Sequence, residues 1–181
     1  MITFREYLKE SESTEKDFDL EFNLRGRTLL EAREEYKWPD KVPGYFDIGS
    51  NNLTSLEGCP NEVGDRFSCS SNPLTGLEGC PIKVGSYFAC TGTNVTSLQG
   101  FGEMFRYGWI KGRLYLPDTL KSHLLSVILI PELTRIDFWS SNKHLQKVEE
   151  IVNKHLASKE KDLLECQDEL IENGFKEFAR L

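Results

Sequence analysis

The chain has 181 residues, a formal net charge of −7, 39% hydrophobic and 28% charged residues, which fits one globular domain with room for a real core. The charge excludes a general polyanion binder, which needs clustered Lys and Arg, and the longest apolar run, HLLSVILI, is too short to span a bilayer. The opening MITFREYLKESES has no hydrophobic h-region and the cysteine count of five is odd, so neither secretion by a signal peptide nor a disulfide framework is expected, and a reducing compartment is.

In chain order, FREYLKE places Phe4, Tyr7 and Leu8 on one helical face. FDLEFNL alternates Phe18, Leu20, Phe22 and Leu24, the pattern of a half-buried strand. Thr28 to Glu31 has capping-box spacing and opens a short helix that Pro39 ends. From Val42 the chain repeats with a period of 21 residues. Phe46, Phe67 and Phe88 align, as do Val42, Val63 and Val84, and Leu56, Leu77 and Leu98. Ile48 aligns with Cys69 and Cys90, and Asn51 and Asn72 with Thr93. Each copy begins as a period-two strand with Phe and Ile/Cys facing in. The Asn then turns the chain, its amide bonding backbone groups that the turn leaves unpaired. Leu53 and Leu56 point back inside from a return arm, and Gly58 and Pro60 stop any helix. One such coil cannot bury its own apolar side, whereas coils stacked at strand spacing, about 4.8 Å, bury a continuous core. The third copy drifts, with Thr93 for Asn and Phe101-Gly102 for Cys-Pro, as expected where a regular array meets a different neighbour.

Beyond the repeats, RLYLP reads as a strand, and DTLKSHLLSVILI as a helix with Asp118 at the N-cap and Pro131 beyond its end. TRIDFW is a further strand with Ile136 and Phe138 inward. HLQKVEEIVNKHL carries Leu145, Val148, Ile151, Val152, His155 and Leu156 on one face. KDLLECQDELIENG offers Leu163, Leu164, Leu170 and Ile171 as its apolar set, with Asn173-Gly174 as a C-cap. The expected fold class is α/β. A helix/strand cap spans 1–41, a parallel-strand solenoid with degenerate last coils spans 42–144, and C-terminal helices spanning 145–181 cover the last coil.

The frame Phe-x-Cys-x-x-Asn-x-Leu-x-x-Leu resembles the leucine-rich repeat, and the sub-style SLEGCP…VG resembles small repeat proteins of T-even-like tailed bacteriophages. The resemblance covers residues 42 to about 104 well and extends more weakly to 145. The tail LLECQDELIENGFKEFARL and the opening MITFREYLKESES also look like the ends of those proteins. The resemblance implies a leucine-rich-repeat solenoid whose outward strand positions line a concave face. It also implies a phage-encoded protein acting in the host bacterial cytoplasm.

Several constellations have a structural explanation that outweighs a chemical one. Cys59, Cys69, Cys80 and Cys90 are separated by nine or ten intervening residues, unlike the close pairs of zinc sites, and fit core positions. Cys166-Gln-Asp168 is similar to the Cys-x-Asp of bacterial leucine-rich-repeat ubiquitin ligases, but lacks the large helical domain those enzymes need. His123, His144 and His155 have no nucleophile or acid nearby in the sequence, and there is no phosphate-cradling glycine loop. One feature stands out. The outward strand positions carry Tyr45, Asp47, Arg66, Ser68, Tyr87 and Ala89, then Arg113, Tyr115, Arg135, Asp137 and Trp139. Tyr, Trp and Arg are enriched at binding hot spots, and the stripe Tyr45–Arg66–Tyr87 has no folding rationale in the repeat itself.

The expected function is therefore a non-enzymatic module with no cofactor and no metal. It binds a protein partner through Tyr45, Asp47, Arg66, Ser68, Tyr87, Tyr115, Arg135 and Trp139. The resemblance makes that partner a host bacterial protein, with a defence component as the target by analogy. Nucleic acid and membrane are not expected partners, and the sequence leaves the oligomeric state open. The alternative is an internal head-assembly protein, since the opening MITFREYLKE resembles the N-terminal targeting segments of internal head proteins in those phages and Leu8-Lys9-Glu10 fits the Leu-x-Glu pattern cut by the prohead protease.

Overall fold

The structure, a computed structural model, describes residues 17–20, 24 and 26–181. Phe4, Tyr7, Leu8, Phe22 and the Leu8-Lys9-Glu10 pattern lie outside the described residues.

Two parallel ladders organise the chain. A six-stranded sheet has the order β1 (Phe18–Asp19), β3 (Phe46–Asp47), β5 (Phe67–Ser68), β7 (Phe88–Ala89), β9 (Gly112–Leu116) and β10 (Leu133–Phe138). A four-stranded sheet has the order β2 (Lys41–Val42), β4 (Glu62–Val63), β6 (Lys83–Val84) and β8 (Trp109–Ile110). Every pairing is parallel, and the register joins residues one repeat apart: Phe46 to Phe67 to Phe88, and Val42 to Val63 to Val84. Each 21-residue coil thus adds one strand to each sheet. Sequence alternation does not reveal the second ladder, although the valines in register mark it. The corner between the two sheets needs close backbone approach. A Cβ at Gly64 would lie 1.9 Å from the Pro43 carbonyl oxygen, and one at Gly85 would lie 1.8 Å from that of Gly64, so only glycine fits.

Phe46, Phe67 and Phe88 are fully buried, with neighbouring ring centroids 6.4 and 4.9 Å apart. Trp38 closes one end of this column against Phe46, its Nε1 donating to the Gly58 carbonyl at 3.0 Å. Trp38 follows helix α1 (Leu29–Tyr36), which starts in the expected Thr28/Glu31 capping box and ends at Lys37 in the left-handed region. Phe101 closes the other end.

The Asn turns form a side-chain ladder between coils. Asn72 Oδ1 accepts from the backbone N–H of Asn51 and Leu53, one coil back, at 3.0 and 2.8 Å. Its Nδ2 lies within hydrogen-bond reach of the carbonyls of Ile48, Cys69 and Ser70. Asn51 acts in the same way on Leu20 and Leu24 of the N-terminal segment. Thr93 keeps only the local bond, to the Cys90 carbonyl at 2.9 Å.

After the third coil the period breaks. Phe88 pairs with Leu114 and Leu114 with Ile136, each step longer than one repeat and the two unequal. The extra chain in the first step holds helix α2 (Phe101–Met104) and a 3-10 turn at Phe105–Tyr107. The helix expected over 118–130 is absent: Ser122 bridges to Ser97 in extended form, His123 has φ 59°, and only a 3-10 turn, Leu125–Leu129, comes after it. Asp118 caps nothing and is exposed. The physical reason is near-continuous burial of the apolar run: Leu124, Leu125, Val127, Ile128 and Ile130 all sit in the core and only Leu129 of 124–130 is exposed, so this stretch lacks the polar face that an amphipathic surface helix presents. It continues the coil's return arm, with Lys121 N–H bonded to Thr96 and the Ser122 carbonyl to Leu98 N–H.

Helix α3 (Lys143–Leu156), capped by Asn142, buries all six expected face residues. It packs on β10 and occupies that strand's open edge. Asn153 accepts from Ile136 N–H at 2.7 Å and returns a bond to its carbonyl at 2.9 Å, while Glu149 accepts from Phe138 N–H at 2.8 Å. Helix α4 (Leu163–Glu172) is capped by Asp162 and ends at Asn173-Gly174 as expected. Its buried face differs from expectation: Cys166 and Leu170 are buried, whereas Leu164 and Ile171 are exposed. Positions 163, 166 and 170 share one helical face, so the packing role expected of Cys166 is observed, while Leu164 and Ile171 fall off that face.

Candidate functional site

The outward face of the six-stranded sheet follows from strand alternation and register. Because Phe46, Phe67, Phe88 and Leu114 point inward, the residues immediately before them, Tyr45, Arg66, Tyr87 and Arg113, form one row across adjacent strands, and Arg135 pairs with Arg113. The row two positions on is Asp47, Ser68, Ala89, Tyr115 and Asp137. Trp139 lies one residue beyond the end of β10.

The structure brings the expected aromatic residues together at the C-terminal half of this face. Tyr87 and Tyr115 meet edge-on with centroids 5.4 Å apart, and Tyr115 meets Trp139 at 6.0 Å. Trp139 is 79% exposed. The three rings, with Ser70, Ala89 and Thr91, line an open depression of about 310 Å³. Its floor exists because Ala89 is the smallest residue in its row. Partial burial raises the Tyr87 phenol above its ordinary range, opposed by the nearby Arg66 charge. Ser68 and Asp47 lie outside this depression, and Asp47 accepts from Gly49 N–H at 2.9 Å.

The arginines divide into two kinds. Arg135 donates to Asp137 at 2.9 Å and reaches Glu149 at 3.5 Å, and Arg113 stands 3.9 Å from Asp137. Those two are neutralised within the fold. Arg66 lies over the Tyr45 ring, 4.0 Å from its centroid, and pairs with no carboxylate among the described residues. The proximity of Tyr45 and Arg66 is legible from the 21-residue period. The clustering of Tyr115 with Trp139 is not, since it depends on the two irregular steps after β7.

The remaining candidates are built into the fold. All five cysteines are buried and free. Burial pushes the Cys90 and Cys166 thiols up to about 12 and also raises those of Cys59, Cys69 and Cys80 well above the ordinary thiol range. Cys166 is therefore a poor nucleophile, and Asp168 beside it points to solvent. Among the described residues, no three His, Cys, Asp or Glu side chains are placed to hold a metal ion. His155 is buried and bonded through Nε2 to Glu169 at 2.8 Å, and His144 packs on Phe175. His123 has partners that the sequence does not suggest: Ser97 Oγ and Ser122 Oγ lie 2.9 and 3.0 Å from its Nδ1. They stabilise the Ser97–Ser122 bridge, and the same nitrogen serves both hydroxyls. Among the described residues, no helix is long and apolar enough to cross a membrane. No protein-family model matches the chain, and neither a curated protein nor a solved structure matches it.

Proposed function

We propose that the protein is a short leucine-rich-repeat-type solenoid that binds another protein through the outward face of its six-stranded sheet, without catalysis. The observation that carries this reading is the step of rings Tyr87, Tyr115 and Trp139, which ends in an indole 79% exposed. An aromatic ring placed in water on a rigid sheet adds nothing to folding, whereas it supplies contact area at low entropic cost in a complex. The 21-residue register kept in two ladders supports the solenoid reading.

For the biological setting, the repeat sub-style supports a phage protein that acts in the host bacterial cytoplasm on a host protein, with a defence component as target by analogy. The test is a pull-down from infected cells with wild type, Trp139→Ala and Tyr87→Ala, followed by calorimetry with the purified candidate. A partner retained equally by all three proteins, each with an unchanged melting curve, would move the site off this face. The head-assembly reading rests on the resemblance of the opening MITFREYLKE to a targeting segment and on its Leu8-Lys9-Glu10 pattern. It predicts mature particles that contain a chain beginning at Ser11.

A further inference from the structure

Resting on the docking reading above, we infer that the depression between Tyr87, Tyr115 and Trp139 holds one aromatic side chain of the partner, and that Arg66 pairs with a carboxylate next to it.

The volume, about 310 Å³, is at the bottom of the roughly 300–1,000 Å³ range of pockets that enclose a whole small molecule. It suits one ring. Its walls present ring faces and edges near right angles to each other, 88° for Tyr87 with Tyr115 and 75° for Tyr115 with Trp139, so an incoming ring stacks on one wall and meets another edge-on. A cation would also favour such walls. Here, however, Arg66, which has no acidic partner among the described residues, stands next to Tyr87 in its own row, and that placement repels a positively charged guest.

The same charges define what stands beside the ring. Arg113 and Arg135 already face Asp137 and Glu149. Arg66 has no acidic partner among the described residues, and the Tyr45 ring lies beneath it. Asp47, on the neighbouring strand of the same face, accepts from Gly49 N–H. One such guanidinium on one side of the ring site asks for one carboxylate. A polyanion would want several cations without partners, and the chain's charge of −7 opposes it. Arg66 stands on the strand next to Tyr87, about 4.8 Å away across the ladder. That offset matches an acidic residue one or two positions from the aromatic one in an extended segment.

The experiment is selection of a random-sequence peptide library, displayed on an unrelated carrier, against the wild-type protein. The expected enrichment is Trp, Tyr or Phe within two residues of Asp or Glu. Synthetic versions of the enriched peptides should lose about tenfold or more in affinity to Trp139→Ala and to Arg66→Glu. Selection against Arg66→Glu should replace the acidic residue with Lys or Arg, a change of preference that structural damage would not produce. Enriched peptides that depend on Trp139 but show no acidic bias would overturn this inference and leave the docking reading intact. No enrichment, or peptides indifferent to Trp139→Ala, would overturn both. AMP titrated as a second probe, binding wild type but not Trp139→Ala, would assign the face to a nucleotide instead.

Discussion

The three regular coils and the C-terminal half solve one problem in two ways. In the coils, each residue's neighbour is a copy of itself, so Phe packs on Phe, and the Asn72 amide satisfies the backbone of the coil before it. In the C-terminal half the neighbour is different each time. The steps between strands lengthen and lose their constancy, the amide ladder stops at Thr93, and Asn153 and Glu149 on a helix meet the backbone of the last strand. Repetition is economical in sequence, but it leaves an open end, and specialised residues are needed where it stops.

The largest test of this contrast is Asn72→Ala against Thr93→Ala. Asn72 is 1% exposed and serves groups in two coils, so its loss leaves several buried backbone groups unpaired and should cost about 3 kcal/mol or more. Thr93→Ala removes one bond to the Cys90 carbonyl and should cost about 1 kcal/mol. Equal losses in chemical denaturation would deny the ladder its role. Next in size is Asn153→Ala, which strips both bonds from Ile136 at the end of the array. A loss of about 2 kcal/mol is expected, together with concentration-dependent dimers in analytical ultracentrifugation as the bared edge pairs with another copy. A strictly monomeric variant would show that packing of α3 protects the edge without these bonds.

The coils were legible because their constant period is carried by large side chains that must stack, and because an Asn at a turn has few other uses. The outward face was legible in its first half for the same reason: Tyr45, Arg66 and Tyr87 share one position in the repeat. Three features were not. The segment 119–130 is apolar enough to suit a helix and an extended buried arm alike, and only the coil in front of it decides. The second ladder has two-residue strands, too short to alternate. The ring cluster at Trp139 depends on insertions whose length in space cannot be read from their length in sequence.

Two smaller effects sharpen the comparison at the helical end. The Lys154 ammonium, 2.8 Å away, and His155 hold the Glu169 carboxyl below its ordinary range despite some burial. A depressed carboxyl contributes stability above its unfolded pKa, about 4.3 for Glu, and loses it as pH falls through the folded value. Wild type should therefore exceed Glu169→Gln in stability near neutrality, by under about 1 kcal/mol for so open a pair, and the gap in melting temperature should close toward pH 3. A gap that widens on acidification would refute the sign. The least change is expected for Leu164→Ser on α4: the side chain is 66% exposed, so stability should move by no more than about 0.5 kcal/mol, whereas Leu74→Ala in a coil should cost about 2–5 kcal/mol.

The Asn ladder has a consequence for how the gene can change length. The first coil takes its turn bonds from Asn72 of the coil after it and, through Asn51, offers the same pattern to the segment before it. An in-frame duplication of one 21-residue unit between the first and second coils would therefore arrive with its partners already specified on both sides. Trp38 and α1 at one end, and Phe101 with the irregular coils beyond it at the other, would stay as they are. The number of coils is then a heritable variable that can drift while the fold persists. Each added unit widens the outward face by one strand, about 4.8 Å, so exposed sheet surface can be gained in whole steps.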